Sequence, residues 1–274
     1  MYRILQTVAI FAVCFTISGI KCMSFSMPAF SSPSASAPVI EGAQSAEELV
    51  KQADAVRAPW PGFAMRADLS YEKFNKRKEE TFRVFTRDYV KTLVSYIDPV
   101  KQRGNMLLMI NDNIWYYVSK TQRPMRITPI QKLSGGASYG DITRLSWSGD
   151  YDPVIEGESR ITVNGKTYAG WLLKLTARSK SATYHTMDLY VDKEKGYPRK
   201  AVVYLQSGKK MKTMYFIDYK MIAGKMMNTR IDFVDHLSSD AMTSMIFSNI
   251  TVKQSPDRFF LKSALPSLSS EAVY

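Results

Sequence analysis

The sequence predicts a mostly β protein, an antiparallel meander that is curved or closed, with small helical additions. Three observations predict it. Apolar residues recur at every second position from Phe63 onward. Asn164-Gly165 joins two alternating runs, 155–163 and 166–176, as a type I′ hairpin demands. No long helical pattern separates the strand runs, so parallel βαβ units are not expected.

In the first run Phe63, Met65, Ala67, Leu69 and Tyr71 alternate with Arg66, Asp68, Ser70 and Glu72, giving one apolar and one wet face. Further strands are expected at 81–87, 89–97, 105–110, 114–118 and 125–128, and after the hairpin at 183–191, 199–205, 210–219, 226–234 and 241–250. These thirteen runs are read as about eleven or twelve strands joined mostly by short turns. Ahead of them, Ser45-Ala46-Glu47-Glu48 reads as a capping box. Leu49, Val50, Ala53 and Val56 continue it as one helical stripe, which Pro59-Trp60-Pro61-Gly62 ends. This is the one helix the pattern supports strongly. Residues 130–152 interrupt the strand series with Gly135, Gly136, Gly140 and Gly149. A piece at 141–147 there has the spacing of a helical turn or two. A loop of that length in a compact domain is usually a lid or a binding loop, or else disordered.

The N-terminus sets the compartment. After Arg3 an apolar run covers residues 4–20, and Ala35-Ser36-Ala37 offers an A-x-A cleavage site. We expect residues 1–37 to be a cleaved signal peptide and leader, in preference to an uncleaved anchor. Residues 38–44 are then a linker and 45–274 a single domain. Both cysteines, Cys14 and Cys22, lie in the leader. The mature domain therefore has no disulfide, thiol nucleophile or cysteine metal site, and its stability must come from its core. The net charge of +12 is spread along the chain. It fits an anionic lipid surface, an acidic partner or a well-solvated exterior, and not nucleic acid, which needs a basic stripe.

No catalytic constellation is visible. His185 and His236 stand apart with no companion at ligand spacing, and Asp150-Tyr151-Asp152 reads as a turn because it lacks the other oxygens of a calcium loop. The glycines near 135 match no phosphate-cradling or dinucleotide loop. No metal and no cofactor is expected, and the chain does not read as an enzyme. Fifteen methionines and 12% aromatics suit either a curved core or a wall that adapts to apolar guests.

The segments 103–110 (RGNMLLMI), 113–118 (NIWYYV) and 123–127 (RPMRI), with the Gly-rich stretch that runs to Asp141, resemble the outer-membrane lipoprotein-sorting family, the LolA-like proteins. The resemblance extends to the helix before Trp60-Pro61 and, more loosely, through the strands to Phe260. It implies an incomplete, strongly curved antiparallel barrel with a helical lid over its concave side. It also implies a periplasmic carrier that binds lipid or lipoprotein acyl chains for transfer toward the outer membrane. Partners would be an inner-membrane export-system donor and an outer-membrane acceptor, with the carrier a monomer. The apolar cavity would be lined by Phe63, Met65, Leu69, Phe82, Val84, Leu107, Met109, Trp115, Tyr117, Met187, Leu189 and Trp147. Gly135 and Gly136 would hinge the lid, with Tyr139 pressing on the guest, so hydrogen exchange in residues 133–148 should be fast when empty and slowed by an acyl ligand. A lipid-sensing module on the same fold is the second reading. An enzyme using the cavity without a cofactor is the third.

Overall fold

In the computed structural model, residues 44–73, 76–238 and 241–271 are described. The leader and nearly all of the linker lie outside them. Helix α1 (Ala46–Arg57) opens on the expected capping box: Ser45 Oγ accepts from the Glu48 amide, and the Glu48 carboxylate accepts from the Ser45 amide. Its apolar stripe, Leu49, Val50 and Ala53, is buried.

Thirteen strands form one antiparallel sheet. The N-terminal meander is β1 (Gly62–Lys73), β2 (Lys76–Arg87), β3 (Lys91–Asp98), β4 (Met106–Ile110), β5 (Asn113–Val118) and β6 (Arg123–Ile127). A small hairpin, β7 (Lys132–Ser134) and β8 (Ala137–Ser138), and the one-turn helix α2 (Tyr139–Thr143) follow. The second meander is β9 (Tyr151–Val163), β10 (Lys166–Ala177), β11 (Thr186–Asp192), β12 (Pro198–Tyr204), β13 (Lys210–Ile222), β14 (Lys225–Asp235) and β15 (Ala241–Val252). The predicted hairpin turn is present, with Asn164 and Gly165 at φ of 49° and 74° and Val163 paired with Lys166. Several expected boundaries shift, β2 and β9 starting five and four residues early and β11 three late. The 89–97 strand begins later because Asp88 and Tyr89 take left-handed φ in the preceding turn, and the helical piece placed at 141–147 forms two residues earlier.

Sequence neighbours pair everywhere in the sheet except at one junction, where β1 pairs with β15 and joins the two meanders. The free edges are then β6 and β9. The sheet curves without closing into a barrel. A single apolar cluster draws on Leu107 of β4 and Leu189 of β11, which stand far apart in strand order. They can share one core only because the inner face of the sheet bends toward itself.

Residues 128–150 must connect one free edge to the other, which is the reason for the long irregular stretch. They do so across the concave side, where Ala137, Ile142, Leu145 and Trp147 join the same cluster. A second cluster lies on the outer face. It comprises Ala64, Phe85, Leu93, Met106, Leu108 and Tyr117 under the C-terminal Phe259, Phe260, Leu265 and Leu268. The last two belong to α3 (Leu265–Ser270), a helix the sequence reading passed over although Pro266 in its first turn marks it.

Burial raises the phenols of Tyr96, Tyr151 and Tyr184 above their ordinary value. A raised folded value contributes stability below the unfolded value, near pH 10, and loses it as pH climbs toward the folded one. Lys212 and Lys200, pulled down by burial, act in the opposite sense, but the raised phenols outnumber them. The urea midpoint is expected to hold from about pH 7 to 9 and to fall above about pH 10, by up to about 1.4 kcal/mol per pH unit for each such tyrosine. Tyr96→Phe, which keeps the ring's edge contact with Phe82, should make that fall shallower. An unchanged slope would count against the assignment.

Candidate functional site

The concave face is the candidate site. From β1 it takes Phe63, Met65, Ala67 and Leu69; from β2, Phe82 and Val84; from β11, Met187 and Leu189. All are at most 1% exposed. Leu107 and Trp147 belong to the same cluster. Nine of the expected lining residues therefore do come together. Met109 is also buried but sits at the rim, beside a cavity of about 250 Å³ that it lines with Arg144, Asp112 and Asp150.

Trp115 and Tyr117 are a correction. They pair with Leu108 and Met106, and partners across an antiparallel ladder share a face. That face is the outer one, beneath the C-terminal segment. The aromatic that β5 turns inward is Tyr116, partner of Leu107, which stands 6.0 Å from Tyr139 ring to ring.

The inner face is filled by the protein itself, since α1 and residues 137–147 supply the side chains that cover it. What holds this cover is polar and discrete. The Asp54 carboxylate of α1 accepts from the Trp147 amide at 2.8 Å, the Ser148 amide at 2.8 Å and Ser146 Oγ at 2.8 Å. Burial nonetheless raises its pKa, with Arg57 and these donors pulling it down. In α2, Asp141 takes the Ser138 amide at 2.8 Å, the Tyr184 hydroxyl at 2.7 Å and Lys212 Nζ at 2.9 Å. Lys212 also donates to Ser138 Oγ at 2.9 Å. Its side chain is 2% exposed, and burial lowers the ammonium pKa against the opposite pull of Asp141. Ser134 donates to Glu80 at 2.7 Å, and the Gly136 amide to Thr243 Oγ1 at 2.8 Å.

The two expected hinge glycines have a different role in this arrangement. Gly135 has φ of 55°, and a Cβ there would collide with Thr243 and Tyr71. A Cβ on Gly136 would press on Phe233. Both permit close approach of the β7–β8 turn to the sheet, and neither is a free pivot. The acids of Asp150-Tyr151-Asp152 also part company, Asp150 binding Arg144 and Asp152 binding Arg178, while Tyr151 opens β9 and points to the core.

Sequence reasoning missed Lys212, Asp141 and Asp54. Two signals were present. Lys212 shares the inward parity of Met214 and Phe216, where a cation demands a partner, and Ser138-x-x-Asp141 ahead of Ile142 is itself a capping box.

A family model described as an uncharacterized protein family matches residues 88–267. The chain belongs to that family. Its fold is LolA-like. A LolA superfamily protein from Nitrosomonas europaea is similar to it at 26% identity and a TM-score of 0.73, covering 81% of this chain and 99% of that one. A DUF1329 family protein from Desulfovibrio piger follows at 20% and 0.69, covering 80% and 97%. An outer membrane lipoprotein-sorting protein domain from Vibrio parahaemolyticus stands at 18% and 0.66, covering 79% and 97%. None of the curated proteins matches.

Proposed function

We propose that the protein is a periplasmic carrier that shelters a lipid or lipoprotein acyl chain on its concave face and passes it toward the outer membrane. It would work as a monomer between an export-system donor and an outer-membrane acceptor. The observation that carries this reading is an apolar inner face whose cover is fastened by side-chain bonds and not by a strand ladder. A cover held in that way can leave without unzipping the sheet.

The magnitudes favour exchange of part of the cover for cargo. Burying an acyl chain of about a dozen methylenes is worth roughly 10 kcal/mol. A hydrogen bond contributes net about 1 kcal/mol, and one to a charged group about 1.5–3. Cargo of that length therefore offsets the loss of about three charged fasteners, so loading is expected to displace part of the cover.

The filled inner face reverses the direction expected for hydrogen exchange in residues 133–148. With Ile142 and Trp147 buried in the empty protein, exchange should start slow and become faster when an acyl ligand takes their volume. The Asn164–Gly165 hairpin should not respond and serves as the internal control. Native mass spectrometry of protein purified from the envelope should show an acyl species bound. Absence of any bound acyl species, with exchange indifferent to every acyl ligand, would sink the carrier reading.

A further inference from the structure

We propose that Arg57 is the docking point for an oxyanion, carboxylate or phosphate, at the end of the cargo's alkyl chain. This rests on the carrier reading and narrows its ligand class. Arg57 closes α1 and is only 8% exposed. Its Nη1 is buried and has no hydrogen-bond partner.

Asp54 is its ion-pair partner but does not satisfy that donor. Asp54 Oδ1 lies 3.7 Å from Nη1, beyond hydrogen-bond reach, and the Asp54 oxygens are already taken by the Trp147 and Ser148 amides and Ser146. Other buried cations contrast with it. Lys212 meets Asp141 at 2.9 Å, and Arg199 meets Asp192 at 2.7 Å.

The guanidinium carbon lies 3.5 Å from the Trp147 ring centroid, and Trp147 in turn packs edge-on against Phe216 of the inner face. One face of the guanidinium is thus occupied while the Nη1 donor at its edge remains. A buried guanidinium donor without an acceptor is costly and calls for a partner. The planar fork of arginine matches a carboxylate or a phosphate with two parallel bonds. A chain lying along the concave face with its charged end at Arg57 would satisfy the donor and bury the alkyl part together. A cargo whose acyl end carries no oxyanion would leave it unmet.

The test uses the mature chain and four probes of equal chain length: dodecanoate, dodecyl phosphate, methyl dodecanoate and dodecanol. Affinities are read by displacement of a fluorescent acyl probe. The wild type is expected to bind at least one anion about tenfold or more tighter than the neutral probes. Arg57→Met also takes the nearby charge from Asp54 and so loosens the cover for all four probes alike, but it should erase the ratio of anion to neutral affinity, while Arg57→Lys, which keeps the charge but loses the fork, should retain part of it. Phosphate favoured over carboxylate, or the reverse, names the source of the oxyanion. Equal binding of all four probes by the wild type overturns the role of Arg57 and leaves the carrier reading standing, as does a preference that survives in Arg57→Met. Failure of all four to bind overturns both. The wild-type comparison needs no variant, so a misfolded Arg57→Met leaves the proposal open to refutation.

Discussion

Lys212→Met is expected to destabilise the domain by about 3–5 kcal/mol, because it leaves Asp141 charged and buried without its counter-ion. For a domain of this size that is a fall in Tm of roughly 6–20 °C. The second substitution decides the cause. Asp141→Asn in the Lys212→Met background removes the stranded charge while keeping an oxygen for the Ser138 amide, so most of the loss should return. Asp141→Leu would not serve, since it also orphans that amide and the Tyr184 hydroxyl. Thermal unfolding of the three proteins measures this. A Lys212→Met protein within about 1 kcal/mol of wild type, or a double variant no better than the single, would mean that the pair does not hold the cover. Because the pair joins α2 to β13, Lys212→Met should also speed loading of an acyl probe, linking the energetics of the cover to its opening.

Met65→Asp and Leu69→Asp are the other large effects. Each puts a carboxylate at a position at most 1% exposed in the middle of the concave face, at a cost of several kcal/mol. Acyl binding should be lost. The same residues are core, however, so stability falls with binding and one variant cannot separate the two. Tyr117→Asp separates them. Tyr117 is 1% exposed, as Leu69 is, but belongs to the outer cluster. It should cost comparable stability and leave binding per folded molecule unchanged. If Tyr117→Asp abolishes binding as well, or folded Met65→Asp binds as wild type does, the concave face is not where the chain sits.

Much was legible in the sequence because it depends on near neighbours. The alternation along β1, the capping box at Ser45 and the Asn164–Gly165 turn are all set by residues within a few positions of one another, and each appears where local chemistry puts it. The family resemblance rested on the same local pattern of strand, aromatic strand and basic strand. The inward face of β1 could be assigned because its alternate residues are polar.

Tertiary structure alone decided the rest. In β5 the run Ile114-Trp115-Tyr116-Tyr117-Val118 has no polar alternation, so parity is undetermined until the C-terminal segment covers one face and claims Trp115 and Tyr117. The pairing of β1 with β15 joins residues nearly the whole domain apart, and no local signal specifies a partner at that separation. It is this pairing that leaves β6 and β9 as edges, sends residues 128–150 across the concave side, and brings Asp54, Asp141 and Lys212 to the places where they fasten the cover. A buried charge is read from sequence only as an exception to the pattern, and its partner is chosen by the curvature of the sheet.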